Sequence, residues 1–358
     1  MKWSMKLGRF AGIDVYVHAT FFLLLVWFGY VYWAQTGTLA GVVTGLTLIL
    51  LLFLCVVLHE YGHALTARRY GIATKHITLL PIGGVAMLEK MPEDPRQEVV
   101  VALAGPAVNL VIAAGLWLVM AVFHETGTLL DVGIGQGGIL PTLLATNLVL
   151  AAFNLVPAFP MDGGRVLRAL LAMRTDRVQA TRIAASVGRL LALVFGFLGL
   201  IGNPFLILIA VFVWIGAGAE AESAELDARL SRKPAGLAMI TEFHTVAPDD
   251  PLSHAVELTL SGTQKDFPVL DGPRIAGALT QAGILRGLRD HGLEGRVSEV
   301  MVPVRTAEVG TALDVLLQEL QAEGARIVCI TRAGALAGIV DLENIAEYLR
   351  IQAALGRG

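Results

Sequence analysis

Residues 46–67 read LTLILLLFLCVVLHEYGHALTA: an uncharged run up to Leu58, then His59, Glu60 and His63. Extended upstream to Gly41, the run is long enough to cross a bilayer, which takes about 20 mostly apolar residues. Ionisable groups at that depth are costly and are kept for function. His59 and His63 are four residues apart, so on a helix their imidazoles share a face and can reach one metal ion. Glu60 sits beside them and can take a proton from a metal-bound water. A zinc ion brings the pKa of such a water to about 7, which makes hydroxide available at neutral pH. Taken alone, the five residues are also consistent with two polar histidines at a helix end; the apolar run before them argues for the metal.

The composition of the whole chain agrees with a membrane setting. Of its 358 residues 55% are apolar and only 16% charged, against about a quarter charged in soluble domains, and the mean hydropathy is +0.67. Six spans are expected, at residues 18–35, 41–67, 99–123, 139–160, 183–201 and 204–219. Arg189 lies inside the fifth, from where it can snorkel to the interface. The connections 36–40, 124–138 and 202–203 contain no Lys or Arg. The alternate connections hold Arg68, Arg69, Lys75, Lys90, Arg96, Arg165, Arg168, Arg174, Arg177 and Arg182, and the N-terminus adds Lys2, Lys6 and Arg9. By the positive-inside rule both termini face the cytoplasm. The competing five-span arrangement discards an apolar run and translocates a whole soluble module. Cys55 and Cys329 lie in unrelated segments and read as buried small apolar residues. The net charge of −3 gives no reason to expect nucleic-acid binding. No cleavable secretory signal is expected.

A catalytic zinc usually has three protein ligands and an open position. His18, His76 and His124 are options by residue type. Asp162 is a better one. It ends the stretch Asn154-Leu155-Val156-Pro157-Ala158-Phe159-Pro160-Met161-Asp162, at the inner end of the fourth span, the side on which His63 also lies. Pro157, Pro160, Gly163 and Gly164 break the helix there, and broken backbone at membrane depth is tolerated where protein or a water-filled cavity lines it. A plain helix stop is the simpler reading of the same residues.

Together the two motifs resemble the site-2 protease family of intramembrane zinc metalloproteases, over roughly residues 6–219. His59-Glu60-Tyr61-Gly62-His63 is similar to the family's first motif and the stretch 154–163 to its second; Gly105-Pro106-Ala107-Val108-Asn109 looks like a further signature. The resemblance implies His59, His63 and Asp162 as ligands of one zinc ion, Glu60 as general base and Asn154 as a polar group near the tetrahedral intermediate. Asn109 is expected to support packing near the site or to bond between helices. Residues 74–89 are apolar but too short to span, and read as a hairpin or re-entrant strand pair. In the family such a segment is thought to offer an edge strand to an extended substrate, which suits strand addition.

Beyond residue 219 the composition turns polar. The expected division is a membrane-embedded protease domain at 1–222, a linker at 223–236 and two similar α/β stretches at 237–292 and 298–352. Internal duplication suggests one unit packed on its copy, and the pair resembles a tandem of cystathionine-β-synthase-type (CBS) domains. The family often binds an adenosyl nucleotide through an Asp that here corresponds to Gly283 and Asn344, and Asp341 replaces the usual hydroxyl. These departures weigh against the nucleotide and towards a structural or homodimerising role. The expected fold is thus a polytopic α-helical membrane domain followed by a soluble tandem CBS module. The expected activity is hydrolysis of membrane-spanning protein substrates at the cytoplasmic membrane, in regulated intramembrane proteolysis. A CBS-regulated divalent-metal transporter or channel is the alternative.

Overall fold

The computed structural model describes residues 3–81, 83–88, 92, 94–123, 138–231, 233–322 and 326–355. Expectations that fall on Lys2, Lys90 and His124 lie outside them, as does most of the connection 124–138. The chain divides into two compact units, Met1–Ala224 and Glu225–Gly358.

The first unit begins with a hairpin, β1 (Ser4–Phe10) and β2 (Ile13–His18). Ala11 and Gly12, both at positive φ, form the two-residue turn whose twist suits adjacent antiparallel strands. Next come α1 (Thr20–Thr36) and α2 (Leu39–Arg69). Gly37 in the left-handed conformation ends α1, and the Thr38 side chain caps α2 by accepting from the Gly41 N–H. A second hairpin follows, β3 (Thr74–Leu80) and β4 (Gly83–Leu88). Then come α3 (Pro95–Val122), α4 (Ile139–Asn154), the short α5 (Asp162–Ala172), α6 (Arg177–Ile201) and α7 (Phe205–Leu230). Asp94 caps α3 with Pro95 in its first turn, and Asp176 caps α6.

All six apolar segments are helical. Among the described residues four helices, α2, α3, α6 and α7, are long and apolar enough to cross a membrane. The other two are shorter: α1 has 17 residues and α4 has 16, about 24 Å for the latter at 1.5 Å per residue. The fourth expected span runs to residue 160 with a break in its helix at the prolines, and α4 stops at Asn154, just before them. Pro157 and Pro160 follow within two turns, and neither can supply the N–H that a continuing helix needs.

The strands form one sheet in the order β1-β2-β3-β4. Residues 74–88 make the expected hairpin, with Ile77 opposite Ala86 and Leu79 opposite Gly84. The β1–β2 hairpin was not anticipated. It joins through a parallel β2–β3 pairing, which α1 and α2 make possible as the long crossover parallel strands require. Ile13, Ile77 and Ala64 bury together and seat the sheet on α2.

In the second unit the first copy comprises α8 (Leu252–Ser261), β5 (Phe267–Asp271), β6 (Arg274–Leu279) and α9 (Gln281–His291). The second comprises β7 (Arg305–Glu308), α10 (Leu313–Ala322), β8 (Val328–Arg332), β9 (Ala335–Val340) and α11 (Leu342–Ala354). The copies exchange their leading segments: Ile240 pairs with Ile339 in β9, and Val302 pairs with Ala278 in β6. The two crossings repeat the same close contact. A Cβ on Gly338 would lie 2.8 Å from the Ile240 carbonyl oxygen, and one on Gly277 would lie 2.7 Å from that of Val302. Cys329 is buried in β8, where burial pushes its thiol up to about 12, in keeping with a packing role. Since α7 continues to Leu230, the first part of the segment 223–236 is helix.

Candidate metal centre

The sequence places His59 and His63 one turn apart near the end of α2, and the break after α4 places Asp162 as the first residue of α5. The three side chains meet, all buried. His59 Nε2 lies 3.2 Å from Asp162 Oδ2, His63 Nε2 lies 3.1 Å from the same oxygen, and the two Nε2 atoms are 3.1 Å apart. Ligand atoms 2.0–2.2 Å from a tetrahedral zinc ion sit roughly 3.3 Å from one another, so the triangle has the size of a zinc site.

The far sides of the imidazoles define which nitrogens point inward. His63 Nδ1 lies 2.7 Å from the Val101 carbonyl oxygen. A carbonyl only accepts, so Nδ1 carries the proton and Nε2 presents its lone pair to the cluster. His59 Nδ1 donates likewise to Asn109 Oδ1 at 3.1 Å. Two neutral imidazole lone pairs and a carboxylate oxygen converge, three acceptors with no donor between them. A cation satisfies all three at once, and acceptors on the outer N–H groups are what metal-bound histidines ordinarily have. The residues therefore fit zinc.

Much of this shell comes from α3. Val101 and Asn109 orient the imidazoles from either side of Gly105, whose position allows the approach: a Cβ there would lie 2.6 Å from His59 Nε2 and closer still to His63 Nε2. Gly62 does the same for the backbones, since a Cβ on it would lie 2.7 Å from the Ala104 carbonyl oxygen. Asn109 thus has a part the sequence suggested only loosely. The Val101 carbonyl could not have been found from side-chain chemistry.

Glu60 stands between the two histidines in sequence and points to the sheet. Its Oε2 accepts a 3.1 Å hydrogen bond from the Ala86 N–H of β4. Ala86 belongs to an end strand of the sheet and turns this N–H away from β3. Asn154 is the last residue of α4, half-buried, with no hydrogen bond from its side chain among the described residues. His18 instead shares a 2.7 Å hydrogen bond with Thr20, and His76 packs edge-on against Tyr16. Neither belongs to the His59, His63, Asp162 group, the only such group of possible metal ligands among the described residues.

The positions singled out in the soluble unit are occupied by caps. Asp341 accepts from the Asn344 N–H at 2.8 Å, and Asn344 Oδ1 accepts from the Asp341 N–H at 3.0 Å. In the first copy Thr280 accepts from the Gly283 N–H at 3.1 Å.

Comparison with known proteins extends these observations. Residues 47–137 and 132–195 match Peptidase family M50, and residues 235–290 match the CBS domain. The chain is 33% identical to the zinc metalloprotease MJ0392 of Methanocaldococcus jannaschii, over 98% of this chain and 97% of that protein. Among solved structures it is similar to the site-2 protease from the same organism, with 39% identity, coverage of 61% of this chain and 95% of that one, and a TM-score of 0.46.

Proposed function

This chain belongs to peptidase family M50, and on that premise we propose that it cuts membrane-spanning proteins, with His59, His63 and Asp162 holding one zinc ion and Glu60 moving the proton. It is an intramembrane zinc metalloprotease; the substrate class and the residue roles are the proposal. The observation that carries the residue roles is the convergence of three lone-pair donors with both outer imidazole nitrogens committed to acceptors.

When bound, zinc supplies the positive charge that acidifies water and polarises a peptide carbonyl. The rest of the work falls to side chains and backbone. Asn109 and Val101 hold the imidazoles in the ligating tautomer. Glu60 Oε2 is tied to Ala86, which leaves Oε1 to take the proton of the attacking water and return it to the leaving amine. Strand β4 has one paired side and one free side among the described residues, and Glu60 is bonded to the free side. A substrate segment added to that edge would lie extended beside the proton carrier, held by backbone hydrogen bonds that any sequence can make. Its own helix must unwind first, which favours helix-weakening residues near the cut. Asn154 is proposed as a contact to the substrate carbonyl oxygen as it gains charge.

The Lys and Arg distribution supports termini and CBS pair on the cytoplasmic side, so the cut would release a product there. A metal transporter with the same soluble module is less well supported, because transport has no use for an acid–base group next in sequence to a ligand. In the soluble pair Gly283 offers no side chain, and Asp341 and Asn344 are spent on capping, which favours a structural or dimer-forming role over nucleotide binding. The test is Glu60→Gln in the purified, membrane-reconstituted protein. It should keep its zinc and lose cleavage of single-span substrates by about 10²-fold or more; cleavage at the parental rate would remove Glu60 from the mechanism.

A further inference from the structure

We infer that Arg168 is the positioning residue for the Asp162 carboxylate, tying the helix that begins with Asp162 to the helix that orients the two imidazoles. The inference rests on the zinc reading of the site and names a residue that reading does not use. Arg168 lies on α5, six residues beyond Asp162, and is 4% exposed. Its Nε donates to Glu98 Oε1 at 2.8 Å, and Glu98, in the first turn of α3, is 1% exposed. Its Nη1 donates to Glu220 Oε1 of α7 at 2.6 Å. Its guanidinium also lies over the ring of Phe159, 5.2 Å from the centroid. Phe159 is fully buried three residues before Asp162. One planar cation thus grips the chain on both sides of the carboxylate.

Glu98 makes the tie specific. One turn after it on α3 comes Val101, whose carbonyl oxygen accepts the hydrogen bond from His63 Nδ1–H; Gly105 and Asn109 follow on the same helix. All three proposed ligands come from α2 and α5, and α3 is the helix against which both are referenced. Arg177, at the start of α6, reaches the other Glu98 oxygen at 3.5 Å. The guanidinium fork bonds two carboxylates at once and stacks on a ring, which a lysine ammonium cannot do. Outer groups that orient ligands typically contribute 10–100-fold in metal affinity.

The experiment uses the full chain in detergent or nanodiscs, with zinc affinity read by chelator competition well below the unfolding temperature, and the visible spectrum of the cobalt(II)-loaded protein as a report of ligand geometry. Arg168→Met should weaken zinc binding by about 10–100-fold and lower the intensity of the cobalt bands, and Arg168→Lys should recover only part. A purely structural ion pair is separated by the double variant Glu98→Gln/Arg168→Met. It leaves neither Arg168 nor Glu98 as an uncompensated buried charge, so it remains measurable if the single variant fails to fold. The double variant should stay weak in zinc binding even where its thermal stability returns. Parental affinity in Arg168→Met, or affinity that returns with stability in the double variant, overturns the inference. An unmodified chain that binds neither zinc nor cobalt overturns the metal reading itself.

Discussion

At position 105 a single methyl group separates a metal site from a steric clash. The Cβ of an alanine there would lie 2.6 Å from His59 Nε2 and nearer still to His63 Nε2, and neither imidazole can retreat without giving up its bond to Asn109 or Val101. Gly105→Ala should therefore yield a folded membrane protein with zinc content well below one ion per chain, by mass spectrometry of metals in the purified sample. Full occupancy would show that the imidazoles have slack the packing does not suggest. Chemistry at this scale was partly legible in the sequence. His59, Glu60, His63 and Asp162 stand out because ionisable groups in apolar surroundings need a reason, and because four-residue spacing brings two of them onto one face. Gly105 could not be read the same way, since its requirement comes from how closely α3 approaches α2. Arg168 was legible only as one of the charges near the inner face that set the topology, and its burial against Glu98 is a property of the packed helices.

The strands show a different limit. Residues 74–88 announce a hairpin through β-branched residues around a glycine pair, and the hairpin is there. The segment 4–18 carries a weaker signal than the apolar helix after it, although Ile13, Val15 and Val17 alternate with Asp14, Tyr16 and His18 and the apolar three are all buried. Its position beside β3 is a long-range pairing across two helices, which local patterning does not encode. The function asked of β4 can be tested on the element. Ala86→Pro removes the N–H bonded to Glu60 Oε2 and obstructs the free edge, while the β3 pairing of its neighbours can persist. It should lower kcat/KM for a single-span substrate by an order of magnitude or more and leave bound zinc unchanged. Undiminished cleavage would mean that the substrate does not use this edge.

For the whole molecule, the composition turns polar after the last apolar run and the chain divides after Ala224, and the duplication in the second half was visible as repeated helix–strand–strand–helix order. The exchange of leading segments between the copies was not, because Ile240 and Val302 are ordinary apolar residues until their partners Ile339 and Ala278 are known. Every proposed zinc ligand and every group orienting one lies within Met1–Ala224. Removal of residues 234–358 should accordingly change assembly or regulation while leaving one zinc ion per chain; loss of the metal would show that the membrane unit does not hold its site unaided. The most direct measurement is X-ray absorption at the zinc edge of the purified full-length protein. Two nitrogen ligands at about 2.0–2.1 Å and carboxylate or water oxygen at about 2.0–2.2 Å are expected, with the metal lost in Asp162→Ala and in His59→Ala. A sulfur ligand at about 2.3 Å, or zinc retained with unaltered surroundings in Asp162→Ala, would contradict it.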